Sequence, residues 1–210
     1  MIQTWIADVT ALLEKQKYLQ CYNRVPEHRQ KKADRLRMQE DKALSVGAWT
    51  LLQKMEKEYS LQGNFIYNIS HSGNCVLCSV EDGTSKSSKL GCDLEKVGEP
   101  NIKIAERFFC ESEYRLIREY DEKRQREMFY RYWVLKESFM KATRLGMKLD
   151  MRSFEVQFDS EDGAVLARQP EAIKDVWHYQ EYEIEGIEAK IAVCSTADEF
   201  GQPEMQQLFR

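Results

Sequence analysis

The spacing of apolar and polar positions changes several times along this chain, and each change marks an element. Residues 2–9 open with a short apolar run that predicts a strand. Helical spacing follows over roughly 27–42 and 44–59, the second carrying Leu44, Ala48, Leu51, Leu52 and Met55 along one face. Residues 65–69 and 75–80 read as strands around the turn-forming Ser70-His71-Ser72-Gly73-Asn74. A strand at 89–95 is followed by helical spacing near 101–109, 111–120 and 122–144, with Gly146 as the stop of the last helix. Period two then returns at Phe154, Val156 and Phe158, at Val165-Leu166-Ala167, and over 176–184 and 189–194.

Helices and strands are grouped instead of alternating, which predicts an α+β fold. The polar, unpatterned run 81–88 marks a boundary, giving an N-terminal half over 1–86 and a C-terminal half over 87–197. Residues 198–210 read as a loose tail. No internal repeat is legible.

Composition narrows the function classes. At 210 residues, 42% hydrophobic and 11% aromatic, the chain can bury a real core. No apolar run approaches the length of a membrane span, and the N-terminal residues lack the basic and apolar regions of a signal peptide. These features predict a cytoplasmic protein with no membrane partner. A net charge of −4 argues against nucleic acid as a partner. The six cysteines, at 21, 75, 78, 92, 110 and 194, show no disulfide spacing. Cys75 and Cys78 form a C-x-x-C inside a predicted strand, where positions three apart face opposite sides, so both read as core thiols.

Two segments carry candidate chemistry. In the strand Gly91-Cys92-Asp93-Leu94-Glu95, the two acids share one face. In the helix Trp133-Val134-Leu135-Lys136-Glu137-Ser138-Phe139-Met140-Lys141, Glu137 and Lys141 are neighbours one turn apart. Oxygen ligands from two elements suit a hard cation, and a lysine beside them suits a phosphate. Taken singly, the acids are equally an exposed alternation, and Glu137–Lys141 an ordinary helical ion pair. The island Arg24, His28, Arg29, Lys31, Lys32, Arg35 and Arg37 is either a solvated face or a clamp for an anion.

Taken in order, Asn68-Ile69-Ser70-His71-Ser72, Gly91-Cys92-Asp93-Leu94-Glu95, Arg107-Phe108-Phe109-Cys110-Glu111-Ser112-Glu113-Tyr114 and Trp133-x-x-Lys136-Glu137-Ser138-x-x-Lys141 resemble the 4′-phosphopantetheinyl transferases of the larger surfactin-type (Sfp-type) class. The resemblance covers about residues 20–160. It implies two similar α+β halves with pseudo-two-fold symmetry, a ligand in the cleft between them, and a monomer. The implied reaction moves the phosphopantetheine arm of coenzyme A to a serine of an apo acyl or peptidyl carrier protein of natural-product or fatty-acid biosynthesis, releasing adenosine 3′,5′-bisphosphate.

Under this resemblance Asp93, Glu95 and Glu137 hold Mg²⁺, or Mn²⁺ in its place. Glu137 is the base for the serine hydroxyl, and Lys141 neutralises the pyrophosphate. Ser70, His71, Lys32 and Arg35 contact the 3′-phosphate, and Ser45 adds a hydroxyl. Phe108, Phe109 and Tyr114 are the exposed aromatic candidates for carrier docking. The chain departs from the family in lacking the Gly-Lys-Pro segment before the Asn-Ile-Ser-His-Ser run, in placing Leu44 where an arginine is common, and in carrying Val134 where a small hydroxyl or thiol residue is common. Two other readings stay open: a Mg²⁺-dependent nucleotide phosphohydrolase, and a family member that binds CoA or carrier without turnover.

Overall fold

The structure is a computed structural model that describes residues 1–63, 65–81, 88–159 and 163–209. The fold is α+β. Strand β1 (Ile2–Asp8) leads through a 3₁₀ turn to helices α1 (Lys15–Tyr22), α2 (Glu27–Asp34) and α3 (Gln39–Glu58), then to the hairpin β2 (Ile66–Ser72) and β3 (Cys75–Glu81). The second half runs β4 (Leu90–Lys96), α4 (Ile102–Phe108), α5 (Glu111–Glu119) and α6 (Glu122–Ala142). A small hairpin of β5 (Glu155–Asp159) and β6 (Gly163–Arg168) follows, then β7 (His178–Tyr182), β8 (Ala189–Ser195) and β9 (Glu204–Met205).

A repeat invisible in the residues is present in the topology. One sheet has the order β2-β3-β1 and the other β7-β8-β4, each with the last strand of its hairpin in the middle. Each half is thus a strand, a long helix and a hairpin whose second strand pairs antiparallel with the first strand. The sequences of the halves differ because each helix–sheet core is filled by its own side chains, and topology constrains only the period.

The sheets face one another. Ile2 and Ile6 of β1 with Leu77 of β3 meet Cys92 and Leu94 of β4 and Val193 of β8, all fully buried. Each such side chain contributes about 1.5–3 kcal/mol. The outer face of the first sheet packs on α3 through Trp5, Ala7, Val76 and Cys78, and the second sheet packs on α6. Cys75 lies in the inter-sheet core and Cys78 in the helix-facing core, on opposite sides of β3 as the strand period requires. All six cysteines are buried and free.

Three expectations need correction or closure. The helix expected over 27–42 breaks, with α2 ending at Asp34 and α3 starting at Gln39; no glycine or proline marks that seam. Residues 198–210, expected as a loose tail, return to the first sheet. There β9 pairs in parallel with Trp5 and Ile6, and Leu208 is buried in the α3-facing core. The boundary expected at 86/87 falls outside the described residues at position 86 and 87 alike. Among the described residues, no helix is long and apolar enough to cross a membrane.

Candidate active site

The approach of α6 to β4 begins with a missing side chain. A Cβ on Gly91 would lie 2.1 Å from the Ser138 carbonyl oxygen and 2.4 Å from the Ala142 amide nitrogen. Glycine therefore lets the helix lie directly on the strand, and strand period two turns Asp93 and Glu95 to the same side as Gly91. Helical spacing then sets Glu137 and Lys141 opposite those acids.

From the other side, β2 closes the open edge of β4 with side chains. Asn68 Oδ1 accepts from the Cys92 amide at 3.0 Å, and Ser72 Oγ accepts from the Lys96 amide at 3.1 Å. Ser70 Oγ donates to Asp93 Oδ1 and Ser72 Oγ to Glu95 Oε2, both at 2.7 Å. Asn68 and Ser72 were given no role by the sequence: residues 70–74 were expected as a turn, whereas β2 runs on to Ser72 and sets Asn68, Ser70 and Ser72 on one strand face.

A recess of about 340 Å³ results, lined by Ser70, His71, Asp93, Glu95, Glu137 and Lys141, with Trp133 and Ile69 at its wall. That volume is near the lower limit of small-molecule sites and suits a phosphate-sized group with the remainder of a ligand outside. A larger hollow of about 880 Å³ beside Trp5, Tyr59 and Leu208 holds no comparable set of acids. Lys141 Nζ donates to Asp93 Oδ1 at 2.7 Å, Ser70 Oγ at 2.9 Å and the Cys92 carbonyl at 3.2 Å. Its ion pair is therefore with Asp93 rather than with Glu137. Burial alone would lower the lysine; Asp93 leads the contributions that outweigh it and raise its pKa.

The acids are crowded. Burial first, then the charges of Asp93 and Glu95, raise the pKa of Glu137, with Lys141 opposing. Burial also raises Glu95, against the hydrogen bond from Ser72. Asp93 is 3% exposed, and its Oδ2 is buried without a hydrogen-bond partner. Three carboxyl groups around one ammonium, with a buried oxygen unclaimed, fit a hard cation. Among the described residues, however, no three metal-ligating side chains converge as a ready-made cage.

The basic island divides. Arg29 lies 4.2 Å from the Trp49 ring centre, and Trp49 makes edge contacts with His28 and with Tyr67 of β2. These contacts hold α2 against α3 and β2. His71 feels the result: loss of water first, then Lys141 and Lys32, lower its pKa, opposed in part by Asp41. Lys32 thus acts on the end of the recess where His71 stands. Arg35 is exposed just beyond α2, and Ser45 is half-buried on α3; neither lines the recess. The hydroxyl of Ser70, expected at a 3′-phosphate, is taken up by Asp93 and Lys141.

The aromatic expectation also needs correction. Phe109 is 1% exposed and packs between Phe129, Tyr132 and Trp133, so it is core and cannot be an exposed anchor. Phe108 remains 37% exposed beside Arg107, and Tyr114 is half-buried beside Arg118. Helical spacing alone could not tell which ring of Phe108-Phe109 the α4–α5 junction turns inward.

The chain is similar to known proteins over much of its length. The model of the 4′-phosphopantetheinyl transferase superfamily matches residues 89–194, half of the chain. The chain belongs to that superfamily. It is 35% identical over 135 residues to 4′-phosphopantetheinyl transferase Sfp of Bacillus subtilis (strain 168), covering 64% of this chain and 56% of that one. It is 36% identical over 100 residues to the mouse L-aminoadipate-semialdehyde dehydrogenase-phosphopantetheinyl transferase, covering 44% of this chain and 31% of that one. The chain thus spans little more than half the length of the Bacillus relative it matches. A crystal structure of the Thermotoga maritima holo-[acyl-carrier-protein] synthase AcpS matches 53% of this chain and 64% of its own, with 26% identity and a TM-score of 0.42.

Proposed function

We propose that this chain transfers the 4′-phosphopantetheine arm of coenzyme A to a serine of an apo carrier protein, with adenosine 3′,5′-bisphosphate as the other product. The observation that carries the reading is the meeting of Asp93, Glu95, Glu137 and Lys141 in one recess of a chain of this superfamily. The serine oxygen forms a new bond to the pantetheine-side phosphorus, the pyrophosphate P–O bond breaks, and its electrons leave with the nucleotide bisphosphate. Glu137 receives the serine proton; its raised pKa brings it nearer the range in which a carboxylate is an effective base. Asp93, Glu95 and Glu137 would hold Mg²⁺ or Mn²⁺, which when bound supplies charge neutralisation on the pyrophosphate. Lys141 adds positive charge at the same place, while His71 and Lys32, with Arg35 and Ser45 further out, receive the 3′-phosphate end. The carrier docks on the rim formed by Phe108, Tyr114, Arg107 and Arg118. Both halves wall the recess, so one chain suffices and we take the protein as a cytoplasmic monomer.

Incubation of the protein with CoA, Mg²⁺ and an apo carrier should raise the carrier's intact mass by ~340 Da, the size of the arm. Consumption of CoA or nucleotide with an unchanged carrier mass would point to a phosphohydrolase instead. Binding of CoA with neither outcome would leave a protein without turnover.

Two further outcomes test individual parts. Lys32→Ala should weaken CoA by on the order of tenfold and dephospho-CoA far less, because a charge-assisted phosphate contact is lost. Arg35→Ala should do less, since Arg35 is exposed beyond α2 and Lys32 is the α2 residue whose charge acts on His71. Equal losses for both ligands in calorimetric titration would make the island a solvated face.

The metal assignment has a pH signature. Glu95 and Glu137 bind protons more tightly folded than unfolded, so their stabilising contribution is present below the unfolded carboxyl value of about 4.3. It is lost as pH rises through their raised folded values. Metal-free protein should therefore lose melting temperature between mildly acidic and neutral pH through these groups. A divalent cation needs the deprotonated carboxylates, so millimolar Mg²⁺ should raise the melting temperature more at about pH 8 than at about pH 5. The same Mg²⁺ response at both pH values would count against a carboxylate site.

A further inference from the structure

Beside the recess, on the same helix α6, lies an ion pair that the proposed chemistry does not use. Lys136 is 0% exposed and Glu113 1%, and their charged atoms stand 2.9 Å apart. The ammonium also donates to the carbonyls of Met151 at 2.9 Å and Phe154 at 3.0 Å, so all three of its protons are placed. The carboxylate accepts from the amide of Cys110 at 2.8 Å and of Val156 at 2.9 Å. Four segments thus meet on two side chains: the start of α5, the 3₁₀ turn at Met151–Ser153, the start of β5 and the middle of α6.

Stability is a poor reason for such a pair. Burial raises Glu113 and lowers Lys136, and each only partly offsets the cost to the other. Buried pairs of this kind commonly give no more stability than apolar residues of the same volume. What a fully satisfied polar network does supply is a single geometry. Lys136 immediately precedes Glu137 in α6, and the helix face on its other side is pressed on Gly91. The same carboxylate fixes Cys110, two residues beyond Phe108 on the docking rim.

We infer that Glu113 and Lys136 are positioning residues, which lock the rotation and advance of α6 so that Glu137 stands at one place over β4 while the α4–α5 rim keeps a fixed relation to it. The inference rests on the transferase reading for its kinetic test, but its geometric content does not. Displacement of a reacting group by about an ångström can cost on the order of 10²-fold in rate.

The test uses the full chain carrying Glu113→Gln, Lys136→Met, and both together, assayed well below each variant's melting temperature. Carrier modification should fall at least about tenfold in kcat, with the KM for CoA changed by less than about threefold. An unchanged kcat in a folded variant overturns the inference. Each protein is also labelled with 5-fluorotryptophan, because Trp133 lies one turn before Glu137 on the recess wall while Trp5 and Trp49 lie in the other half. The ¹⁹F resonance of Trp133, assigned with Trp133→Phe, should move while those of Trp5 and Trp49 stay. A Trp133 resonance that stays put in the double variant overturns the positioning role even if the wild-type protein modifies no carrier, an outcome that sinks the transferase reading separately. Should the double variant not fold, Glu113→Gln alone, which keeps the side chain's shape and an acceptor for one of the two amides, decides in the same way.

Discussion

Glu137→Gln should slow carrier modification by on the order of 10²–10⁴-fold while CoA affinity changes by less than about tenfold. No hydrogen bond among the described residues claims the Glu137 carboxylate, in contrast to Asp93 and Glu95, which are held by Ser70, Lys141 and Ser72. A free carboxylate with a raised pKa is the member of the cluster able to take a proton. Glutamine keeps the volume and removes both the base and the charge, and each matters most as charge develops in the transition state. Asp93→Asn should be similarly slow, with partial recovery at high Mg²⁺ if its unclaimed oxygen serves the cation. Glu137→Gln should show no such recovery. Single-turnover mass spectrometry distinguishes the two, and a Glu137→Gln protein working near the wild-type rate would end the proposed mechanism.

The largest structural effect is expected at Gly91. Alanine there would put a methyl group 2.1 Å from a main-chain oxygen of α6 and 2.4 Å from a main-chain nitrogen. Neither atom belongs to a side chain that could turn away, so the helix itself must move. Overpacking of this kind costs about 1–3 kcal/mol and more when backbone must yield. At this chain length that corresponds to a fall in melting temperature of roughly 2–4 °C per kcal/mol. Transfer should drop further than stability, because the displaced helix carries Glu137 and Lys141 while Asp93 and Glu95 stay on the strand. Gly91→Ala melting within a degree or so of the wild type, with full activity, would show that the close approach is not required.

The long, strongly periodic elements were legible in the residues. Strand β4 and helix α6 fell within about two residues of their observed ends, and the carboxylates they carry do share a recess with Lys141. Less could be read where tertiary contacts decide. Phe109 differs from Phe108 only by which way the α4–α5 junction turns it. The partner of Lys141 is Asp93, a residue of another element, although Glu137 is its neighbour by helical spacing. Lys136 stood in the motif with no role of its own, because a buried ammonium needs partners from distant segments that no spacing rule reveals. The topological repeat stayed hidden for a similar reason: a strand, a helix and a hairpin constrain hydrophobic period and not residue identity.

The parallel pairing of β9 with β1 sets an order for biosynthesis. Trp5 and Glu204 are ladder neighbours, yet roughly 200 residues of chain separate their emergence from the ribosome. At about 5–20 residues per second, β1 waits on the order of 10–40 s before its outer edge is covered. During that interval the nascent N-terminal half presents an unpaired strand edge, the kind of surface that recruits other chains. A slow-translating host without a chaperone on that edge would therefore be expected to lose nascent chains before β9 can cover β1.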